Sequence, residues 1–157
     1  MEYKIIEQFT LRSDVVLGDQ TVPLFDLDAF DGLTTSFVDE HPPVDEIKID
    51  GIPRCDGAMH VKGKSMYPLL MPGDIVLFKT VPNRRGGLFF GEMYLLALDL
   101  DGEECITIKY VHQSERVGYY RLESYNPDYP PREVPVDKVR SMALVKASVR
   151  PISSFEK

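Results

Sequence analysis

The sequence predicts a mostly-β domain with little helix, and three observations carry that prediction. Twelve prolines and eleven glycines punctuate its 157 residues, and proline interrupts helix interiors by removing a donor and crowding the preceding turn. The apolar residues fall in short runs of strand length, separated by turn signals. Asp101-Gly102 stands between two such runs, as a tight hairpin requires. Roughly six to nine strands of this kind fit a sheet assembly or a distorted barrel. No internal repeat or low-complexity tract interrupts them.

In chain order, residues 1–20 read as an N-terminal arm or linker with a helical turn at residues 5–9, closed by Gly18-Asp19. The domain proper then covers residues 21–157. Residues 22–25 are a short strand, and residues 27–32 an extended segment that ends on the Asp31-Gly32 turn signal. His41-Pro42-Pro43 begins a polar connection. From Ile47 onward the texture is β. Residues 58–61 form a short apolar run, and residues 74–79 enclose Ile75-Val76-Leu77-Phe78. Residues 93–98 and 105–111 form the two sides of the Asp-Gly hairpin, and residues 117–122 and 139–149 supply two further strands.

Composition narrows the function. A chain of this length is one domain's worth and buries roughly 70% of its unfolded surface. Its apolar and charged fractions, 43% and 27%, are those of an ordinary globular protein. The formal net charge is −7, whereas nucleic-acid binding draws most of its affinity from clustered Lys and Arg on phosphates. Direct DNA binding by this chain is therefore not expected. Arg84-Arg85 is an isolated pair in a loop tip. The two cysteines, Cys55 and Cys105, make neither a secreted disulfide framework nor a CxxC zinc motif. His41, His60 and His112 lack metal-ligand spacing, so no metal is expected. No apolar run nears the ~18 residues that span a bilayer. The first residues lack the apolar core of a signal peptide, so a cytoplasmic location without membrane contact is expected.

The segment with chemical content is Val61-Lys62-Gly63-Lys64-Ser65-Met66-Tyr67-Pro68-Leu69-Leu70-Met71-Pro72-Gly73-Asp74. Gly63 permits a tight approach to Ser65, and Pro68 and Pro72 leave room after it for only one or two helical turns. A serine at such an entry can cap backbone N–H groups. It can equally be a nucleophile, with nearby N–H groups available to an oxyanion. Gly63-Lys64-Ser65 also imitates the end of a phosphate-binding loop. That reading fails, because the required first glycine falls on Ala58 and the prolines block the long helix that such a loop must enter.

The stretch GKSMYPLLMPGDIVLF resembles the serine-lysine signature of LexA-like peptidases (the S24 family), which include the SOS repressor, phage repressors and the mutagenesis protein UmuD. Ile106-Thr107-Ile108-Lys109-Tyr110-Val111 resembles the family's lysine strand, and Leu122-Glu123-Ser124-Tyr125-Asn126-Pro127-Asp128-Tyr129-Pro130-Pro131 resembles its S-x-N-P-x-Y segment. The resemblance spans about residues 22–149. It implies Ser65 as nucleophile and Lys109 as its base in an autopeptidase that cuts its own chain. Gly63, Met66 and Asp74 would support the site and its oxyanion. No cofactor is implied, since Ser–Lys hydrolysis needs none. A neutral lysine can serve as base when loss of water lowers its pKa from ~10.4. In regulators of this kind the domain forms a homodimer, and a recombinase filament on single-stranded DNA triggers cleavage.

Three departures from the family pattern qualify this. The candidate scissile bond is Asp31-Gly32, 33 residues before Ser65, where the family carries a small neutral residue before the glycine. A carboxylate there would pair with Lys109 as an ammonium and oppose base catalysis. Lys109 lies 44 residues beyond Ser65, an interval lengthened around Pro82-Asn83-Arg84-Arg85-Gly86-Gly87. Only about 20 residues precede the Val22-Pro23-Leu24 strand, too few for the helix-turn-helix domain of a repressor. Three readings remain: a repressor-type self-cleaving regulator, a UmuD-like protein, or an interaction module of the same fold that cannot cleave. A membrane signal peptidase, which shares the Ser-Met-x-Pro motif, is set aside because no spanning segment is present.

Overall fold

The computed structural model describes residues 2–26, 37–38, 42–81 and 88–152. These residues form twelve strands and one 3-10 turn at Val136–Lys138. The strands are β1 (Tyr3–Gln8), β2 (Val16–Leu17), β3 (Gln20–Leu24), β4 (Asp45–Ile49), β5 (Ile52–Pro53) and β6 (Gly57–His60). They continue with β7 (Ile75–Thr80), β8 (Met93–Leu100), β9 (Glu103–Gln113), β10 (Tyr119–Glu123), β11 (Arg132–Pro135) and β12 (Val139–Pro151). The main sheet runs β11-β10-β9-β8-β12-β7-β6-β3-β4, open at both ends, with β1 also on β12 and β2 paired separately with β5. The mostly-β expectation holds, as a sheet assembly rather than a closed barrel.

Two strands explain the continuous apolar runs. Along β8, Met93, Leu95 and Ala97 enter one core, while Tyr94, Leu96 and Leu98 enter another. Along β7, Val76 and Phe78 join the first core and Ile75 and Leu77 a third. Both faces of these strands are covered, so neither shows polar alternation. At the expected hairpin, Leu100 pairs with Glu103. Asp101 and Gly102 between them have φ values of 56° and 86°, the doubly positive geometry of a type I′ turn.

The opening of the chain departs from expectation. Residues 5–9 are not a helical turn: Tyr3–Gln8 is strand β1, antiparallel to β12 from Tyr3 opposite Pro151 to Gln8 opposite Ala147. β12 has an edge to offer there, because β8 pairs with it only as far as Leu144. Tyr3 and Ile5 pack against the core formed by Val22, Ile47, Ile75 and Ala147. Tertiary pairing thus overrides a weak local preference. β12 serves as the spine of the molecule, with β7 along one edge and β8 then β1 along the other. No helix of the described residues is long and apolar enough to cross a membrane.

Candidate active site

Ser65 opens one tight turn between β6 and β7. Tyr67 N donates to Lys64 O at 3.1 Å and Leu70 N to Met66 O at 2.8 Å. The side chains of Met66 and Leu70 are buried in the first core, which anchors the turn from below. Gly63 has φ of +75°, and a Cβ there would meet nothing within 4 Å. The glycine is needed for its backbone sign, not for space. The peptide between Tyr67 and Pro68 is cis.

Asp74 closes the turn. Only 1% exposed, its carboxylate accepts Met71 N at 2.9 Å. It also takes both arms of Arg150, Nε at 2.6 Å and Nη2 at 3.1 Å. Such bidentate, charge-assisted pairs combine strength with fixed geometry. Through this pair the end of β12 holds the segment that runs on from Ser65.

A cleft opens beside Ser65. Its lining comes from β6 and the residues after it (Met59, His60, Val61, Lys62, Gly63), from Met66, and from Leu95, Ile106, Thr107 and Ile108 on β8 and β9. Ile106 and Ile108 face partners Ala97 and Leu95 across the β8–β9 ladder, and Lys109 stands opposite Tyr94. The cleft floor is therefore apolar, and Lys109 follows Ile108 along β9, just outside the lining.

Lys109 is half-buried, and burial pushes its pKa below the ordinary lysine value, a shift partly opposed by the nearby Cys105 thiol. Its Nζ donates to Ser124 Oγ at 2.6 Å and lies 5.3 Å from the centre of the Tyr129 ring. Among the described residues no hydrogen bond runs directly from Lys109 Nζ to Ser65 Oγ. What joins the two is the segment after β10. Asn126 N donates to Ser65 O at 3.0 Å, and Asn126 Nδ2 donates to Lys64 O at 2.9 Å. Tyr125 N reaches Met66 Sδ at 3.3 Å. Asn126 is itself held, since its Oδ1 accepts Asp128 N at 3.0 Å and its carbonyl accepts Tyr129 N at 3.1 Å. Residues 124–126 thus form a strap with one end on the lysine and the other on the serine turn.

Of the residues singled out from sequence, Gly63, Ser65, Met66 and Asp74 lie on the one turn, and Lys109 lies on β9 beside the cleft. Asp31 and Gly32 lie outside the described residues, as do His41 and the Arg84-Arg85 loop. Ser124 and Asn126 were visible only as letters of a motif, without roles. His60 and Thr107 gave no sequence signal, because β6 and β9 bring them to the cleft only through tertiary pairing. The described residues contain no cluster of three or more His, Cys, Asp or Glu arranged to hold a metal. Cys55 and Cys105 are both free thiols, and burial pushes the Cys55 thiol up to about 12.

The profile of the peptidase S24-like family matches residues 31–146, well over half the chain. The chain belongs to the peptidase S24-like family. The matched span of this S24-like domain includes the Ser65 turn, the Lys109 strand and the 124–126 strap. No curated protein matches the chain.

Proposed function

We propose that this S24-like domain is a Ser–Lys peptidase that acts on its own chain, with Ser65 as nucleophile and Lys109 as base. The observation that carries the reading is the half-buried Lys109, its pKa lowered by burial, on the strand that walls the Ser65 cleft. In the reaction, neutral Lys109 takes the proton of Ser65 Oγ as the oxygen attacks the scissile carbonyl. The C–N bond then breaks, and the Lys109 ammonium returns the proton to the leaving amine. Water hydrolyses the resulting ester by the same proton route. Backbone N–H groups of the turn at Ser65 and Met66 are the candidate oxyanion donors.

The expected biological role is that of a repressor-type regulator in the cytoplasm, homodimeric and cleaved in response to a recombinase filament; a UmuD-like role is the alternative. A second reading keeps the fold and gives up the chemistry. The carboxylate of Asp31 before Gly32, on entering the site with that bond, would hold Lys109 as an ammonium, which suits a dimerisation or partner-binding module.

Intact-mass spectrometry after incubation between pH 7 and 10 separates these readings. High pH neutralises Lys109, so cleavage should rise with pH, with its midpoint below the ~10.4 of a free lysine. Fragments 1–31 and 32–157 are expected, and Ser65→Ala and Lys109→Ala should each abolish them. A chain that stays whole throughout would favour the binding module.

A further inference from the structure

A second cavity, of about 300 Å³, shares no lining residue with the Ser65 cleft. Leu95 lines the cleft and its neighbour Tyr94 lines the second cavity, so the two lie on opposite faces of β8. The walls come from the turn after β1, the end of β7 and the start of β8, while β12 supplies Leu144 and Lys146. We propose that this cavity binds a small amphipathic carboxylate, its anionic head on Lys146 and Lys79 and its apolar body against Leu11, Val81, Phe89 and Leu144. The inference does not depend on Ser65 cutting any bond.

The chemistry of the lining selects the ligand. Lys146 is 2% exposed and falls where β12 slips register against β7, between Val145 and Ala147. A residue bulged out of a ladder has its side chain re-aimed, and bulges are over-represented beside functional sites. Two of the three N–H groups of Nζ go to Asp14, at 2.8 and 2.9 Å. Among the described residues nothing accepts the third. The other polar groups of the cavity are already engaged. Asp14 Oδ2 also accepts Leu11 N at 2.6 Å. The Tyr94 hydroxyl donates to Phe89 O and accepts Phe89 N, and the Thr80 hydroxyl donates to Asp56 at 3.1 Å. The capacity left over belongs to donors: the last N–H of Lys146 and the ammonium of the exposed Lys79. Lysine nitrogens accept nothing, so a ligand must bring the acceptors.

Charge and shape agree with that requirement. Lys146 and Lys79 against Asp14 leave one positive charge among the charged side chains lining the cavity. The remaining lining is apolar, with Phe89 still 49% exposed. Small-molecule sites combine an apolar lining with a few fixed polar groups, and ~300 Å³ is the lower end of their range. One negative charge on a compact apolar body satisfies these walls. A polyanion would set its further charges against Asp14 and leave the apolar wall uncovered. A buried ion pair by itself adds little over apolar residues of the same volume; beside a cavity it supplies a charge that stays in place.

The test titrates the full chain with phenylacetate, with its uncharged amide phenylacetamide and with inorganic phosphate, followed by backbone amide NMR. Phenylacetate should move the signals of Ser13, Asp14, Val81 and Leu144 saturably. It should bind about tenfold or more tightly than phenylacetamide, which cannot offer Lys146 a charged acceptor, and more tightly than phosphate, which has no apolar body. Lys146→Met should bring the carboxylate down to the affinity of the amide. Phe89→Ala, which keeps the backbone groups that hold Tyr94, should weaken both organic probes alike. Urea unfolding reports whether each variant is folded. In the wild-type chain, an absence of saturable shifts, equal affinity for carboxylate and amide, phosphate binding as tight as phenylacetate, or shifts confined to Met59 and Ile108 of the Ser65 cleft would each overturn the proposal. These outcomes are read without any substitution, so they decide the matter even where Lys146→Met does not fold. A folded Lys146→Met chain that keeps the tenfold preference would overturn it as well.

Discussion

Asp14→Ala should be among the most destabilising single changes outside the cores. Lys146 lies in the middle of β12 with its side chain 2% exposed, and its Nζ donates to both oxygens of Asp14, at 2.8 and 2.9 Å. Removing the carboxylate leaves a buried ammonium with no counter-charge, a change that typically costs about 3–5 kcal/mol. The same carboxylate accepts Leu11 N at 2.6 Å, and losing such a bond costs about 1 kcal/mol. Asp14 keeps 14% exposure, so water can reach part of the vacated space, and the lower end of the range applies: about 4 kcal/mol in total. For a chain of this size that is a drop in Tm of roughly 8–16 °C. Lys146→Met in turn leaves the Asp14 carboxylate without its ammonium, but that carboxylate is 14% exposed and keeps Leu11 N, so the cost should be smaller, about 1–3 kcal/mol, and the double variant should lie within about 1 kcal/mol of wild type. Urea unfolding followed by far-UV circular dichroism measures all three, since the chain has no tryptophan. The acid limb gives a second check. Burial alone would raise the Asp14 carboxyl, but bonds from Lys146 and Leu11 outweigh it and hold the pKa below the ordinary value. Its contribution is thus complete above the unfolded pKa of ~3.9 and is lost as pH falls through the lower folded value. Asp14→Ala should lack that acid-sensitive component. A cost under about 1 kcal/mol, or a larger cost for Lys146→Met than for Asp14→Ala, would refute the claim that β12 carries a desolvated charge.

Besides the alkaline cleavage series, two further substitutions test the framework. Gly57→Ala would place a Cβ 2.6 Å from Phe78 Cζ and 2.9 Å from Phe25 Cε2; the forced repacking should cost about 1–3 kcal/mol, read as a lower urea midpoint with an unchanged slope. Arg150→Ala would strand the Asp74 carboxylate, 1% exposed, at about 3 kcal/mol or more, and hydrogen exchange at Met71 N should accelerate as the turn after Ser65 loosens.

The parts of the fold legible in the sequence are those whose signals are local. The Asp-Gly hairpin needs two adjacent residues of particular conformation, and the apolar runs of β7 and β8 announce strands whatever packs against them. β1 was not legible, because six mixed residues carry no period of their own and become a strand only where β12 presents a free edge. At the site, the serine turn was readable through Gly63, Pro68, Pro72 and Gly73, which constrain the backbone directly. Lys109 drew notice only through its resemblance, since burial of a strand lysine depends on neighbours far along the chain. The strap was the least legible: Ser124 and Asn126 act through a hydroxyl and an amide whose partners lie 15 and 62 positions away.

The cleft has one stiff wall and one compliant one. β9 is laddered to β8 from Glu103 to Tyr110 and to β10 from Tyr110 to Gln113, so the strand bearing Ile106, Ile108 and Lys109 cannot shift without breaking a run of sheet bonds. The opposite face is a turn held by its own short-range bonds, two carbonyl contacts from Asn126 and the Asp74–Arg150 clasp. Any strain from an ill-fitting guest is therefore absorbed on the serine side, while the lysine stays put as a fixed reference. Sequence drift between residues 64 and 72 would retune what the cleft admits without disturbing the barrel-less sheet behind it, which makes that turn the adjustable jaw of the molecule.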